Sequence, residues 1–298
     1  MSTPAIDCQK LSKRYGRHAY ALRDLTLQVQ PGEVYGFLGP NGAGKSTTIR
    51  TLMNFIQPTN GTAAILGLDI VTDSVAIKRE VGYLSGEFIP YKRMTGRQFL
   101  QFMQQLQPVK RPERMTELIQ AFEVELDKPT GDLSKGNRQK LGLVQAMMHD
   151  PRVLILDEPT SGLDPLMQAV FYEQIQQLKT QGTAVFLSSH DLAEVRKMCD
   201  RVGFIRQGQL VAEQTITELQ QLSTHRFDIT FKGKAPVAIL KLLKGAEVEQ
   251  LTEHAVSVRM TGNLSPLFAA LSKSDVLTLE QHAIDLEDEF LHFYKETS

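Results

Sequence analysis

A glycine-rich segment at residues 39–46 constrains the fold of this 298-residue chain more than any other feature. It reads G-x-x-x-x-G-K-S, follows the apolar run Val34–Leu38, and precedes apolar residues at helical spacing. Glycines let the backbone point successive N–H groups into one concavity, and the N-terminus of the following helix adds partial positive charge. The segment is therefore a phosphate-binding P-loop, and it predicts that the chain binds a nucleotide.

The P-loop also predicts roles for single residues. Lys45 supplies a point charge for the β- and γ-phosphates, and the Ser46 hydroxyl is a ligand for Mg²⁺. The remaining residues of the predicted nucleotide cradle are Gly39, Pro40, Asn41, Gly42, Ala43, Gly44 and Thr47.

Two acidic residues follow a second apolar run, at residues 153–156. Four consecutive apolar residues suit a parallel strand buried on both faces, and ligands bind at the carboxyl ends of such strands. A buried charge without a partner is costly. We therefore predict that Asp157 is a partner of Mg²⁺ and that Glu158 is the base that orients the attacking water.

Two further residues leave alternatives open. His190 follows another buried strand, at residues 184–187, and is either an ordinary hydrogen-bonded histidine or a contact of the γ-phosphate. We favour the γ-phosphate contact because two phosphate-site strands end nearby. Tyr15 is either a strand residue that covers the core or an aromatic side chain that stacks on a purine.

The pattern along the chain predicts two domains, at residues 1–222 and 223–298. In the first, apolar periodicity at residues 99–106 and 115–122 predicts a helical insertion, and Ser134 is the predicted N-cap of the next helix. In the second, the order β-α-β-β-α-β predicts a small α+β ferredoxin-like domain, followed by a helix at residues 284–294.

Composition and charge limit which partners the chain is expected to bind among nucleic acid, metal ions and the membrane. The formal net charge of −1 argues against a protein that acts by coating nucleic acid. Cys8 and Cys199 lie far apart and the histidines of the second domain are scattered, so no metal other than Mg²⁺ is predicted. The N-terminus lacks the features of a signal peptide, and no apolar run approaches a membrane span. We expect a cytoplasmic protein that needs another subunit if it serves a membrane process.

Taken together, these motifs resemble those of the nucleotide-binding subunits of ATP-binding cassette (ABC) transporters. The resemblance rests on residues 39–46 (Walker A), 133–137 (signature), 153–158 (Walker B), 161–164 (D-loop) and His190 (switch histidine). It implies an α/β P-loop NTPase cassette with a mixed sheet core, an antiparallel β subdomain and a helical subdomain. It also implies that two ATP molecules with Mg²⁺ are bound between two head-to-tail subunits, in a homodimer or with a paired ATPase subunit.

The same resemblance assigns residues to this interface. It implies that Tyr15 stacks on adenine and that Ser134 and Gly136 touch the γ-phosphate of ATP held by the opposite subunit. Asp164 of the D-loop is also assigned to the nucleotide site.

The sequence departs from the family pattern at two places. The signature usually reads Leu-Ser-Gly-Gly-Gln, whereas Lys135 and Asn137 replace a glycine and the glutamine here. The glutamine expected after residues 81–84 is also absent, and we predict that Glu87 takes its place on the Mg²⁺ side. Both departures resemble the exporter branch, whose membrane subunit is a separate chain, so we expect a transmembrane permease as partner and a peripheral location on the inner face of the membrane.

Two other functions stay open from the sequence. One is a cassette ATPase without a membrane partner that acts in translation or DNA repair, although such proteins usually carry two cassettes or a long coiled coil. The other is an ATP-binding regulatory module with weak hydrolysis, which the altered signature motivates.

Overall fold

The structure is a computed structural model that describes residues 3–16, 19–107, 110–222 and 224–282. The chain forms two compact units, the first ending at Glu213 and the second beginning at Gln214. Each unit has its own cluster of buried apolar side chains. This division lies slightly before the domain boundary predicted at residue 222, because the helix Ile216–Leu222 belongs to the second unit.

The first unit contains two sheets. Its strands are β1 (Ile6–Tyr15), β2 (Ala19–Val29), β3 (Val34–Leu38), β4 (Asn60–Ile65), β5 (Leu68–Asp69), β6 (Val81–Leu84), β7 (Val153–Asp157), β8 (Ala184–Ser189), β9 (Arg201–Arg206) and β10 (Gln209–Thr215). An antiparallel sheet has the order β2-β1-β4-β5, and a larger sheet has the order β10-β9-β3-β8-β7-β6. In the larger sheet, β9, β3, β8, β7 and β6 run parallel to one another.

Helices connect the parallel strands. The helices of this unit are α1 (Lys45–Leu52), α2 (Ser74–Glu80), α3 (Gly96–Leu106), α4 (Pro112–Ala121), α5 (Lys135–Met147), α6 (Pro165–Thr180) and α7 (Leu192–Met198), with a 3₁₀ turn at Thr130–Asp132. The helical insertion predicted between β6 and β7 is therefore present as α3 and α4, followed by α5. At the start of α3, Thr95 and Gln98 form a capping box, which satisfies two backbone N–H groups of the first turn.

The central strands are buried along their whole length. Every residue of β3, β7 and β8 is buried, as their continuous apolar sequences predict for strands covered on both faces. Phe37 of β3 packs on Phe186 of β8 with ring centroids 5.3 Å apart. Ile49 of α1 belongs to the same buried cluster, so the helix that follows the P-loop is anchored on the central sheet.

The second unit is a four-stranded antiparallel sheet with helices. After α8 (Ile216–Leu222), its elements are β11 (Thr224–Phe231), α9 (Val237–Lys241), β12 (Ala246–Gln250), β13 (Ala255–Thr261), α10 (Ser265–Leu271) and β14 (Val276–His282). The strand order β12-β13-β11-β14 and the antiparallel pairing confirm the predicted ferredoxin-like arrangement. The helix predicted at residues 284–294 lies outside the described residues.

Within the described ranges, no helix combines the length and the apolar character that crossing a membrane requires.

Candidate nucleotide-binding site

The backbone of the P-loop requires glycine at two positions, where any side chain would clash with neighbouring atoms. Gly44 has a φ angle of 115°, in the left-handed region, and a Cβ atom there would lie 2.7 Å from the carbonyl oxygen of Ala21. A Cβ on Gly39 would lie 2.4 Å from the carbonyl oxygen of Ile205. Gly44 precedes α1 without a side-chain cap, so the first N–H groups of this helix are left for a ligand.

Lys45 points back into the concavity of the loop. Only 6% of its side chain is exposed, and its Nζ atom donates to the carbonyl oxygens of Gly39 at 2.5 Å and Pro40 at 3.3 Å. The same ammonium group lies 3.4 Å from Glu158 Oε1. A cation held in this position supplies positive charge where the P-loop receives phosphate.

Asp157 ends β7 and is oriented by the neighbouring strand. Ser188 lies opposite it in the parallel register, and the Ser188 hydroxyl donates to Asp157 Oδ1 at 2.6 Å. Tyr83 lies on the other side, where burial, and secondly the Asp157 carboxylate, raise the pKa of its phenol to about 12. The phenol therefore stays neutral near pH 7.

Glu158 takes a strained backbone conformation that directs its side chain to the same edge of the sheet. Its φ angle is 50°, which costs a residue other than glycine about 1–2 kcal/mol. Its Oε2 atom lies 2.7 Å from Nδ1 of His190, the residue that follows β8. Because a carboxylate only accepts hydrogen bonds, this ring nitrogen carries the proton. Glu158 is 23% exposed and His190 is 64% exposed, so water reaches the pair.

These residues meet because their strands are parallel neighbours. β3, β8 and β7 are adjacent, and parallel strands end at the same edge, which brings together the P-loop, His190 and the two acidic residues. α1 packs against β7, so Ser46 belongs to the helix beside the Asp157 strand. A hydroxyl and a carboxylate are oxygen donors of the kind that Mg²⁺ prefers, and the residues present fit that ion.

The signature and D-loop residues occupy the starts of two helices. Ser134 is the N-cap of α5, as predicted, and its hydroxyl accepts the N–H of Asn137 at 3.1 Å. Asp164 is the N-cap of α6 and accepts a first-turn N–H at 3.0 Å. A Cβ on Gly136 would lie 2.8 Å from the carbonyl oxygen of Gly162, so the two motifs are in contact within one subunit.

Tyr15 is the last residue of β1. Lys13 is two residues before it on β1, and its Nζ atom lies 5.4 Å from the Tyr15 ring centroid. Lys13 pairs with Leu22, whose side chain would be 3.1 Å from a Cβ on Gly44. Tyr15 is half exposed, and its role as an adenine contact stays a prediction.

Glu87 is exposed on the loop after β6. The residue of this loop that lies against Asp157 is Gly86, where a Cβ would be 3.3 Å from Asp157 Oδ2. Ser85 donates a hydrogen bond to the Glu87 carbonyl oxygen at 2.9 Å. The role of Glu87 on the Mg²⁺ side stays a prediction.

Two residues of the site were not singled out from the sequence. Ser188 accepts the N–H of Glu158 at 3.0 Å while donating to Asp157, so one hydroxyl orients both acidic residues. Gln139 of α5 donates to the carbonyl oxygens of Glu158 and Pro159. The polar ending of the strand at residues 184–189 is a signal for Ser188, but its partner is identified only once β7 and β8 are known to be neighbours.

Comparisons with known proteins give the family. The family model described as ABC transporter matches residues 22–161. The chain is 35% identical over 221 residues to the ABC transporter ATP-binding protein NatA of Bacillus subtilis, with 72% of this chain and 90% of NatA covered. It is 32% identical over 300 residues to the bacitracin transport ATP-binding protein BcrA of Bacillus licheniformis, with 98% of this chain and 97% of BcrA covered. A solved dimeric bacterial ABC transporter cassette has a TM-score of 0.65 at 22% identity, over 71% of this chain and 98% of that chain.

The P-loop and the acidic residues at the ends of parallel strands define a P-loop nucleotide-hydrolysing enzyme. The matches to NatA and BcrA cover most of each protein, and they identify the family of P-loop enzymes to which this chain belongs. The chain belongs to the family of ABC transporter ATP-binding proteins. It is an ATPase that binds ATP, and the resemblance inferred from the motifs is confirmed.

Proposed function

We propose that this chain hydrolyses ATP with Mg²⁺ in a head-to-tail dimer and drives export through a separate transmembrane permease. The observation that carries this proposal is the convergence of Lys45, Asp157, Glu158 and His190 at one edge of the central sheet. The match to BcrA, a bacitracin transport protein, extends over nearly the whole chain and supports a role in transport.

The geometry supports a division of tasks among these residues. Lys45 exchanges its bonds to the loop carbonyls for phosphate oxygens when ATP binds, because the charged phosphate is the stronger acceptor. Asp157 and Ser46 would hold Mg²⁺, which neutralises charge developing on the phosphates. Glu158 accepts the proton of the attacking water, and His190, held through its Nδ1 atom, contacts the γ-phosphate.

The dimer is proposed from the position of the signature. Ser134 is exposed at the N-terminus of α5, where the N–H groups and the helix dipole favour a negatively charged group. The solved cassette with the same fold is dimeric, which supports a comparable assembly here. Ser134 and Gly136 would then contact the γ-phosphate of ATP held by the opposite subunit, as the family resemblance implies.

A partly exposed cluster of mostly aromatic side chains is the proposed permease contact. We call Phe88, Ile89, Tyr91, Phe99 and Phe102 the aromatic cluster, and its four rings pack with centroids 5.8–6.4 Å apart. Ile89 and Tyr91 are 70% and 58% exposed, whereas Phe88 is half-buried and contacts Phe99. Exposed apolar and aromatic side chains of this kind are typical of the centre of a protein contact. We propose that a cytoplasmic helix of the permease binds there.

The experiment that tests this function is purification of the native complex in mild detergent with partner identification. A polytopic membrane protein is the expected partner, whereas ribosomes or DNA would contradict the transport role. Ile89→Ala with Tyr91→Ala should reduce co-purification and permease-coupled ATPase activity, while basal ATPase activity persists. Val75→Ala is the matched control because Val75 is also a highly exposed apolar residue, at 71%. Unchanged co-purification of the Ile89/Tyr91 variant would reject the aromatic cluster as the contact.

A further inference from the structure

Gln139 is a buried polar side chain aimed at the residue that activates water. It lies in the second turn of α5, and only 4% of it is exposed. Its Nε2 group donates to the carbonyl oxygen of Pro159 at 2.8 Å and to that of Glu158 at 3.3 Å. These two hydrogen bonds hold residues 158–159 against α5. Losing them would be costly, because it would leave the buried carbonyl oxygens without a donor.

The segment that Gln139 holds contains the strained conformation of Glu158. A positive φ angle in a residue other than glycine persists only when the surroundings impose it. On one side, the N–H of Glu158 donates to Ser188 at 3.0 Å. On the other side, its carbonyl oxygen accepts the N–H of Ser161 at 3.2 Å and the amide of Gln139. Of these three partners of the Glu158 backbone, Gln139 is the one that belongs to α5.

The first turn of α5 is attached to the same segment. The Lys135 ammonium group donates to the Ser161 hydroxyl at 2.9 Å, and the Lys135 chain lies against Gly162. Gly136 also approaches the carbonyl oxygen of Gly162 closely. Together with Gln139, these contacts tie the start of the signature helix to residues 158–162 at three places.

We propose that Gln139 positions the Glu158 carboxylate for hydrolysis by fixing the left-handed turn of its backbone from α5. This inference rests on the proposed role of Glu158 as the base. The signature turn is proposed to contact the γ-phosphate held by the opposite subunit. Gln139 would then transmit a displacement of this turn to Glu158 of the same chain. Gln139 acts through the backbone of Glu158 and is therefore a positioning residue.

The test uses two variants of the full-length protein that keep the size of the side chain. Gln139→Glu keeps the shape but has no N–H to donate, and Gln139→Met removes all polarity. Both should lower kcat by about 10–100-fold, while the KM and the affinity for a fluorescent ATP analogue change less than threefold, because a misplaced base affects the chemical step. Gln174→Met is the matched control, since Gln174 is also a buried glutamine but contacts Arg114.

Combination with Glu158→Gln separates positioning from general destabilisation. If Gln139 acts through Glu158, adding Gln139→Glu to Glu158→Gln should lower kcat no further, because the base is already absent. Thermal unfolding of each variant identifies losses that arise from unfolding. Wild-type kcat in both Gln139 variants, a loss equal to that of Gln174→Met, or full additivity with Glu158→Gln would overturn the inference. A wild-type rate in Glu158→Gln alone would instead overturn the proposed base.

Discussion

Asp157 and Glu158 are adjacent in the sequence but have different surroundings. Asp157 is buried and accepts a short hydrogen bond from Ser188, which fixes one of its oxygens. Glu158 is partly exposed and lies between Lys45 and His190. A fixed, buried carboxylate suits a cation, whereas a carboxylate reached by water suits a base.

Replacing Glu158 should separate binding from hydrolysis. Glu158→Gln keeps the shape of the side chain but removes the base, so we expect ATP binding to persist while turnover falls by about 10²–10⁴-fold. Because the dimer is expected to open after hydrolysis, this variant should accumulate as an ATP-bound dimer in size-exclusion chromatography with ATP and Mg²⁺. Lys45→Ala is expected to weaken nucleotide binding and to prevent that dimer. A wild-type hydrolysis rate in Glu158→Gln would assign the base elsewhere, with His190 the next candidate.

Removal of the Ser188 hydroxyl should weaken the response to Mg²⁺. Ser188→Ala leaves Asp157 Oδ1 and the N–H of Glu158 without this partner, a loss of about 1–3 kcal/mol for a buried hydrogen bond. The Mg²⁺ concentration that gives half-maximal ATPase activity should therefore rise about tenfold or more. Ser12→Ala, which removes another buried serine hydroxyl, is the control. If the half-maximal Mg²⁺ concentration changes equally in the Ser188 and Ser12 variants, Ser188 does not orient the acidic residues.

At the scale of elements, α5 joins the site to the helical part of the first unit. Its N-terminus carries the signature residue Ser134, and its second turn contributes Gln139. The helix packs against β6, α3 and α4. His149 follows its C-terminal end and is buried.

His149 should make the stability of the first unit depend on pH. Burial lowers the pKa of its imidazole below the ordinary value of 6.5, and Lys110 acts in the same direction. The Val81 backbone, Asp150 and Glu80 oppose this shift but do not cancel it. The unfolded chain therefore binds a proton at a higher pH than the folded chain does. The free energy of unfolding should fall as pH decreases through 6.5, and the loss is complete below the pKa of the folded state.

Denaturant unfolding between pH 5 and pH 8 measures this dependence. His149→Leu should flatten the decrease of stability below pH 6.5, because a leucine does not titrate. His254→Gln is the control, since His254 is exposed in the second unit. A decrease of the same steepness in His149→Leu and in the wild type would contradict the prediction.

At the scale of the whole molecule, the two units differ in what they contain. All residues proposed for the nucleotide site lie before Glu213, whereas the second unit has a separate apolar core built on Phe227, Ile229 and Leu240. We propose that the second unit regulates the ATPase or stabilises the dimer.

Removal of residues 223–298 should leave ATP binding largely intact. A chain ending at residue 222 retains β10 in full, whereas a cut at the unit boundary after Glu213 would remove the end of that strand. We expect ATP affinity within about threefold of the full chain, since the P-loop and its neighbours are unchanged. Nucleotide titration measures it, with circular dichroism as the check on folding. A folded truncated protein with more than a tenfold loss of affinity would reject this division of labour.

The elements with the strongest local patterns were predicted closely. β3 coincides with the apolar run Val34–Leu38, and the strands predicted at residues 153–156 and 184–187 are present as β7 and β8. The ends of elements were predicted less closely: the helical periodicity at residues 99–106 and 115–122 belongs to α3 and α4, which begin at Gly96 and Pro112. Propensity and periodicity report on neighbours along the chain, so they locate a strand better than they define its ends.

The sequence by itself determined the P-loop, the acidic end of β7 and the β-α-β-β-α-β order within the second unit, because each is encoded in contiguous residues. Only the tertiary structure decided that Ser188 orients Asp157, that Gln139 holds Glu158, and that Gly86 is the residue next to Asp157. These contacts join segments that are distant along the chain and depend on which strands are neighbours and which helix packs beside them. A single sequence contains no direct signal for such pairings, because its periodicity shows which face of an element is buried but not what covers it.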